Sequence, residues 1–334
     1  MGNYTTDILT EISRPGIIDK QVQKAIVGNN PLYWAIAGKY QGETKAKKVP
    51  AFVEETNVGT GYFEHFVLLK ENANITWRSR TEGVATDEID LGDRPKIPVR
   101  SLVGSIPLYD FDVDLNEANT DRIVKLVTAA LEQAQGTAMN LMGTGMFSVG
   151  TEYASKVMWG LRYWNPDTVT SGSVAGIDQA TETNWRSYVS NQSGNSFATY
   201  AEAAIETLIL ETAFNENFSD LLVTDKTSFG RLKALIKTRE HYIQYDEEYR
   251  KAGFRALEYS GKCVIPDAAC PAGSIFAIPT KLTKILVVKG CNFQIGPFVE
   301  PVGDQFKAAK FKARLNMLQQ QRKPTGKIVN FTTA

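Results

Sequence analysis

The side chains that could carry chemistry are few and scattered. Nucleophilic catalysis needs a Ser or Cys beside a His base and an orienting acid. Only two histidines exist, His65 and His241, and no serine, Ser173 included, sits in a G-x-S-x-G turn. Cys263, Cys270 and Cys291 fall in no metal-ligand spacing and have neither His nearby in sequence, which reads as reduced, mostly buried thiols. Asp246-Glu247-Glu248 could face a cation, but three acids in a row also describe a solvated helix face. The run Gly143 to Gly150, GTGMFSVG, is only loosely like a phosphate cradle: it follows a helical pattern and lacks both G-x-G-x-x-G and a Lys-Ser/Thr pair. These residues call for no enzyme, no cofactor and no metal.

The elements that would position any site are clearer. The segment Asp114 to Leu141 has Ile123, Val127, Ala130, Leu131, Ala134, Ala138 and Leu141 at three- and four-residue steps, the stripe of a long α-helix. Asp114 and Glu117 offer a capping box, and Gly136 inside the run is a candidate bend point. Before it, residues 1–48 read as an arm that needs something to lie against, with Asn29, Asn30 and Pro31 ahead of Tyr33 and Trp34. Residues 49–95 read as a projecting β-hairpin closed by the turn Val58-Gly59-Thr60-Gly61, and residues 95–113 as a strand leading into the helix.

Past the helix, residues 158–186 are aperiodic but rich in Trp, Gly, Ser and Thr, a loop held against something. A helix with Ile205, Leu208, Ile209 and Thr212 on one side follows. The strand Leu221 to Thr224 comes next, then an Asp225 cap and a helix bearing Phe229, Leu232 and Ile236, which together imply an α/β domain. Short strands KCVI, IFAIP and KILVV come next. Last, Phe311, Ala313, Leu315 and Met317 alternate with Lys310, Lys312, Arg314 and Asn316, a half-buried strand with one basic face.

Charge balances overall, 37 basic against 37 acidic residues, so total charge gives no reason to expect a nucleic-acid binder. The balance is local: residues 51–95 carry nine acids against Lys70, Arg78, Arg80 and Arg94, whereas from Lys307 onward there are seven Lys or Arg and no acid. The start of the chain has no secretory-signal pattern and no window approaches the ~18 apolar residues of a membrane span, so the expectation is a chain kept in the cytosol with no membrane partner.

Three segments taken together carry a resemblance. Trp159-Gly160-Leu161, then Gly176-Ile177-Asp178, then Asn184-Trp185-Arg186 is similar to the signature loop of major capsid proteins of tailed bacteriophages. Tyr249 to Leu257, with Gly253 and Phe254, resembles that family's aromatic-basic run, followed by Gly261, Val264, Pro266-Asp267 and Pro271. One departure is Ala175 where the family carries the first Gly of its GGID motif. The resemblance implies an α+β fold of the Hong Kong 97 type: an N-terminal arm (1–48), an extended loop (49–95), a peripheral domain (96–174 and 296–334) built on the long helix, and an α/β axial domain (175–295). It implies a structural protein, not an enzyme, that assembles into hexamers and pentamers in the host cytoplasm and becomes the virion shell around double-stranded DNA, without sequence-specific contacts. Scaffolding, portal and decoration proteins are the further partners it implies.

Under that reading the acidic loop (Glu54, Glu55, Glu64) and the basic strand (Lys310, Lys312, Arg314) suit contact between copies. Gly136 would let the long helix bend as a shell expands, and Lys70 with Asn316 or Asn330 would be the candidates for a cross-link found in some relatives. The rival readings are an encapsulin-like nanocompartment shell, an α/β enzyme, and a nucleic-acid binder using the basic strand.

Overall fold

The computed structural model describes residues 30–38, 53–56, 61–83, 87, 91–111, 120–238, 255–300 and 305–332. The chain opens with α1 (Pro31–Gly38), β1 (Val53–Thr56), β2 (Tyr62–Glu64), β3 (Val67–Leu68), β4 (Gly92–Asp93), β5 (Lys96–Pro98), β6 (Arg100–Tyr109) and α2 (Thr120–Met146). The middle supplies α3 (Leu161–Trp164), β7 (Ser173–Val174), β8 (Ile177–Asp178), β9 (Tyr188–Asn191), α4 (Phe197–Glu211), β10 (Leu221–Thr224) and α5 (Lys226–Thr238). Seven strands finish it: β11 (Leu257–Tyr259), β12 (Lys262–Pro266), β13 (Ile275–Ile278), β14 (Thr283–Val288), β15 (Gln294–Val299), β16 (Phe306–Gln319) and β17 (Gly326–Val329).

The alternation in the C-terminal run makes β16 the centre of one sheet. Residues 306–315 pair antiparallel with β6 along one edge, while β15 and then β14 pair along the other, and β1 adds parallel to β14. Ala309, Phe311, Ala313 and Leu315 are buried on one face with Ile106 and Leu108 opposite them in register or on the neighbouring rung. That face packs into one core with Val127, Leu131, Ala138 and Met142 of α2 and with Leu32 and Ile36 of α1. Burying such a Leu or Phe is worth about 1.5–3 kcal/mol, so the α2 stripe is fixed to this sheet by several such side chains.

The second sheet has the order β11-β12-β10-β13-β17-β9. Every residue of β10 is buried, as expected for a strand covered on both faces. Helices α4 and α5 lie on one face against Leu222, Val264, Ala277 and Ile328, and the other face, through Leu221, Val223 and Phe276, joins the core shared with α2. Asp225 caps α5 as expected: its Oδ2 accepts from the backbone N–H of Thr227 at 3.0 Å and Ser228 at 3.1 Å. The α4 stripe is also as expected, with Ile205, Leu208 and Thr212 buried.

Four expectations change. The projecting hairpin does not pair residues 53–56 with 62–68. Instead β2 pairs with β5 and β3 with β4, so the ribbon runs up residues 62–69 and back down 91–98, and β1 belongs to the β14 sheet. A Gly-containing turn had suggested a tight hairpin, but Val53–Thr56 finds an open parallel edge on β14, where four rungs form. Second, α2 does not break at Gly143. It continues to Met146, because Gly143 and Gly145 serve close approach: a Cβ would stand 2.6 Å from Asn30 Oδ1 and 3.0 Å from Met158 Cγ. Third, Leu141 is 38% exposed and does not join the buried stripe.

Last, strands do not divide at residue 295. β14 lies in the β16 sheet and β17 in the β10 sheet, so the chain crosses between the two bodies more than once. The capping box at Asp114 and Glu117, and the residues Gly253 and Phe254, lie outside the described residues.

Candidate functional site

The aromatic segment expected to be held against something is folded on itself. The Trp159 and Tyr163 rings stack at 4.0 Å, and Trp164 meets Trp159 and Trp185 edge-on at 6.0 and 6.4 Å. Between β7 and β8 the chain turns over two residues, Ala175 (φ 56) and Gly176 (φ 91), both left-handed as a type I′ hairpin turn requires. Ala175 therefore holds a left-handed conformation that glycine adopts more readily. The turn is pinned from both sides: Trp185 Nε1 donates to Val174 O at 3.1 Å, and Ala175 N donates to the Tyr163 hydroxyl at 3.1 Å.

Ile177 is buried under this turn, and Asp178 caps the next bend by accepting from Ala180 N at 2.9 Å. Arg186 returns to the same bend, donating from Nε to Gln179 O at 2.6 Å and from Nη2 to Ala180 O at 2.9 Å. Gly176, Ile177, Asp178, Trp185 and Arg186 are thus brought together around one bend. Their work is positional, since every polar contact named goes to backbone.

The residue that sequence reasoning missed is Arg322. Its side chain is fully buried: Nε donates to Trp164 O at 2.6 Å, Nη2 to Gln179 Oε1 at 3.0 Å and to Ser187 Oγ at 3.4 Å, and the guanidinium carbon lies 5.5 Å over the Trp185 ring. Burial pushes the guanidinium down to about 9, with the nearby Tyr163 hydroxyl acting in the opposite sense. Tyr163 is raised, chiefly by burial. Only the basic excess after Lys307 pointed at this arginine, and that excess suggested surface.

This cluster is the mount of the ribbon. Lys96 N donates to Ala175 O at 3.2 Å, Asn184 Nδ2 donates to Leu69 O at 2.9 Å, and Lys70 pairs with Glu182 at 3.4 Å. One strand of the ribbon base is thereby tied to the signature turn and the other to the residues just before Trp185. Beyond the mount the ribbon is poorly covered: Phe66, Leu68, Ile75 and Leu91 are exposed and Trp77 is fully exposed.

On the outer face of the β6–β16 pair, Lys310 stands opposite Ser105, Lys312 opposite Val103 and Arg314 opposite Ser101. Lys310 and Arg314 are exposed and Lys312 half-buried, so the basic face exists as expected. Asn316 is not part of it. It is buried, accepts from Trp159 N at 2.8 Å and donates to Pro98 O at 2.7 Å, which removes it as a cross-linking group on a surface. Of the acidic residues assigned to the hairpin, Glu64 is on the ribbon and exposed, whereas Glu54 and Glu55 sit on β1 opposite Leu286 and Val287. Gly136 lies within unbroken α2, where an added Cβ would meet nothing within 4 Å.

No described group of three or more His, Cys, Asp or Glu could hold a metal, and no described helix is long and apolar enough to cross a membrane. Cys263, Cys270 and Cys291 are free thiols, two of them buried.

No protein-family model and no curated protein matches the sequence. Solved structures do match. The capsid of cyanophage A-1(L) superposes with a TM-score of 0.63 at 15% identity over 91% of this chain and 93% of that one. The chain has the Hong Kong 97-type shell fold. An encapsulin from Synechococcus elongatus matches at 0.54 and 10% identity, covering 89% and 95% of the two chains. The capsid of an empty GTA particle matches at 0.53 and 14%, covering 83% and 94%. Within that fold α2 packs against the β16 sheet, and α4 and α5 cover one face of the β10 sheet.

Proposed function

We propose that this chain is a structural protein, the major capsid protein of a tailed bacteriophage, and that it assembles with copies of itself as hexamers and pentamers into the icosahedral head. The observation that carries the reading is a ribbon fixed at its base by the signature cluster yet bearing exposed aromatic and aliphatic side chains along its length. Apolar side chains held out in water mark contact sites. The fold shared with phage capsids supports the same reading. Double-stranded DNA would be enclosed without base-specific contacts, and scaffolding, portal and decoration proteins would act during assembly in the host cytoplasm. The likeness to an encapsulin supports a second reading, a nanocompartment shell around a protein cargo. Electron microscopy of the purified protein tests both against an enzyme: closed particles of one size are expected, and their content, nucleic acid or protein, separates the first two. A monodisperse monomer under all conditions would defeat them.

The outer basic stripe is assigned to contacts with acidic side chains of adjacent copies. Exposed ion pairs contribute only about 0–1 kcal/mol each, but a shell repeats each one at every equivalent interface. Reversing Lys310, Lys312 and Arg314 together to Glu is expected to leave the subunit folded, because Lys310 and Arg314 point to solvent, and to shift the salt concentration at which particles assemble. An unchanged salt dependence by light scattering would remove the stripe from the interface. Gly136 keeps its proposed role as the point where α2 bends between precursor and mature shells.

A further inference from the structure

A cavity of about 530 Å³ opens between the C-terminal half of α2, the start of β6 and the segment before α3. It lies on the helix side of the β6–β16 pair, away from the basic stripe. Its walls are apolar: Leu102, Leu141, Met142, Phe147, Val157 and Met158. That volume falls within the roughly 300–1,000 Å³ of cavities that take drug-sized groups, so an indole fits with room for part of its neighbour. Two buried polar atoms at the site, Glu152 Oε2 and Arg100 Nε, have no hydrogen-bond partner in the isolated chain. Native structures pair such atoms as a rule, so both are open to a group brought in from a second surface. At its mouth Tyr153 is exposed, and Tyr153, Ala154 and Ser155 hold successive left-handed conformations (φ 53, 55 and 61) that non-glycine residues rarely adopt.

We propose that Trp77, at the tip of the ribbon of one copy, seats in this cavity of a neighbouring copy. The inference rests on the self-assembling reading above and specifies which surface receives the ribbon. Trp77 is fully exposed, so no part of its own chain covers it. The charges also match. The described residues of the tip carry Glu71, Glu82 and Asp87 against Arg78 and Arg80, a net of 2 − 3 = −1. The cavity carries Arg100, Lys156 and Arg162 against Glu152, a net of 3 − 1 = +2. Tryptophan and arginine in a desolvated pocket are the side chains that most often dominate an interface, with charge around them steering the encounter. Knob and hole lie on different parts of one chain, which makes the contact heterologous, the kind that builds rings and shells.

Mixed assembly of two singly substituted full-length chains tests the geometry. Trp77→Cys is combined with Leu141→Cys, at the mouth of the cavity, or with Val103→Cys, exposed on the opposite face of the sheet, and particles are oxidised and run without reductant. A two-chain band well above the background of the unaltered protein is expected with Leu141→Cys and not with Val103→Cys. The difference in emission between the unaltered protein and Trp77→Phe is expected to shift to the blue, and to lose iodide quenching, when subunits assemble. Intact particles with no cross-link to residue 141, or with the stronger band at residue 103, overturn the assignment while leaving the shell reading standing. Failure of the unaltered chain to form particles overturns the shell reading, and this inference with it.

Discussion

Gly160→Ala is expected to abolish the folded subunit or to cost it at least about 3 kcal/mol, the upper end of what overpacking a core costs. The backbone at Gly160 is in ordinary extended geometry (φ −97, ψ −172), so the requirement is space and not conformation. A Cβ there would stand 2.4 Å from Ser148 N, 2.6 Å from Gly145 O and 2.7 Å from the Met146 carbonyl carbon. All three are backbone atoms at the end of α2, and none can rotate away as a side-chain tip could. Met146 is fully buried and Ser148 O accepts from Tyr163 N at 3.2 Å, so shifting the helix end would disturb both the α2 core and the aromatic cluster. Gly136→Ala, in the interior of α2, is the contrast. With nothing within 4 Å it is expected to stabilise the subunit by about 1 kcal/mol, the difference in helix propensity. Denaturant midpoints of the two variants should move in opposite directions, and similar shifts would contradict the packing assigned to Gly160.

Periodicity made the helices and the buried strands legible. Val127, Leu131 and Ala138 on α2, the all-apolar β10 and the alternating β16 follow from patterns of 3.6 and 2, and the structure carries them. What periodicity does not carry is which edges meet. Residues 53–56 and 62–68 looked like one hairpin because both are extended and a glycine turn lies between them. Pairing is decided instead by a distant edge, β14 for one and β5 with β4 for the other. Glycine spacing misled in the same way at Gly143 and Gly145, where the small residue admits a neighbouring chain and does not end a helix. In the signature segment the residue types Trp159, Gly160, Gly176 and Trp185 were visible. Their common purpose, anchoring the ribbon base, depends on Leu69, Lys96 and Arg322, which no local pattern connects to them.

Arg322→Ala is expected to cost at least about 3 kcal/mol, since each buried acceptor left without its donor costs about 1–3 kcal/mol. Three acceptors, Trp164 O, Gln179 Oε1 and Ser187 Oγ, would lose their donor in a buried site, and a cavity would open beside Trp185. The charge itself works against stability, since burial without a carboxylate partner is what lowers the guanidinium's affinity for its proton. Arg322→Lys therefore does not rescue the site: an ammonium keeps a buried charge but cannot span three acceptors as the planar fork does. Lys327 shows why burial alone does not decide the outcome. Its side chain is 3% exposed, yet its partner Asp167 is 78% exposed and returns to water at little cost when the lysine is removed. Lys327→Met is accordingly expected to change stability by no more than about 1 kcal/mol, the scale of an exposed ion pair. Thermal unfolding of the subunit separates the cases, and the ribbon gives a second readout. Because Trp164, Gln179 and Trp185 connect Arg322 to the turn that holds Lys96 and to Asn184, which holds Leu69, limited proteolysis is expected to cut residues 70–91 faster in Arg322→Ala than in Lys327→Met, even at temperatures where both remain folded. Equal cutting rates would mean that the ribbon is held by its strand pairing alone.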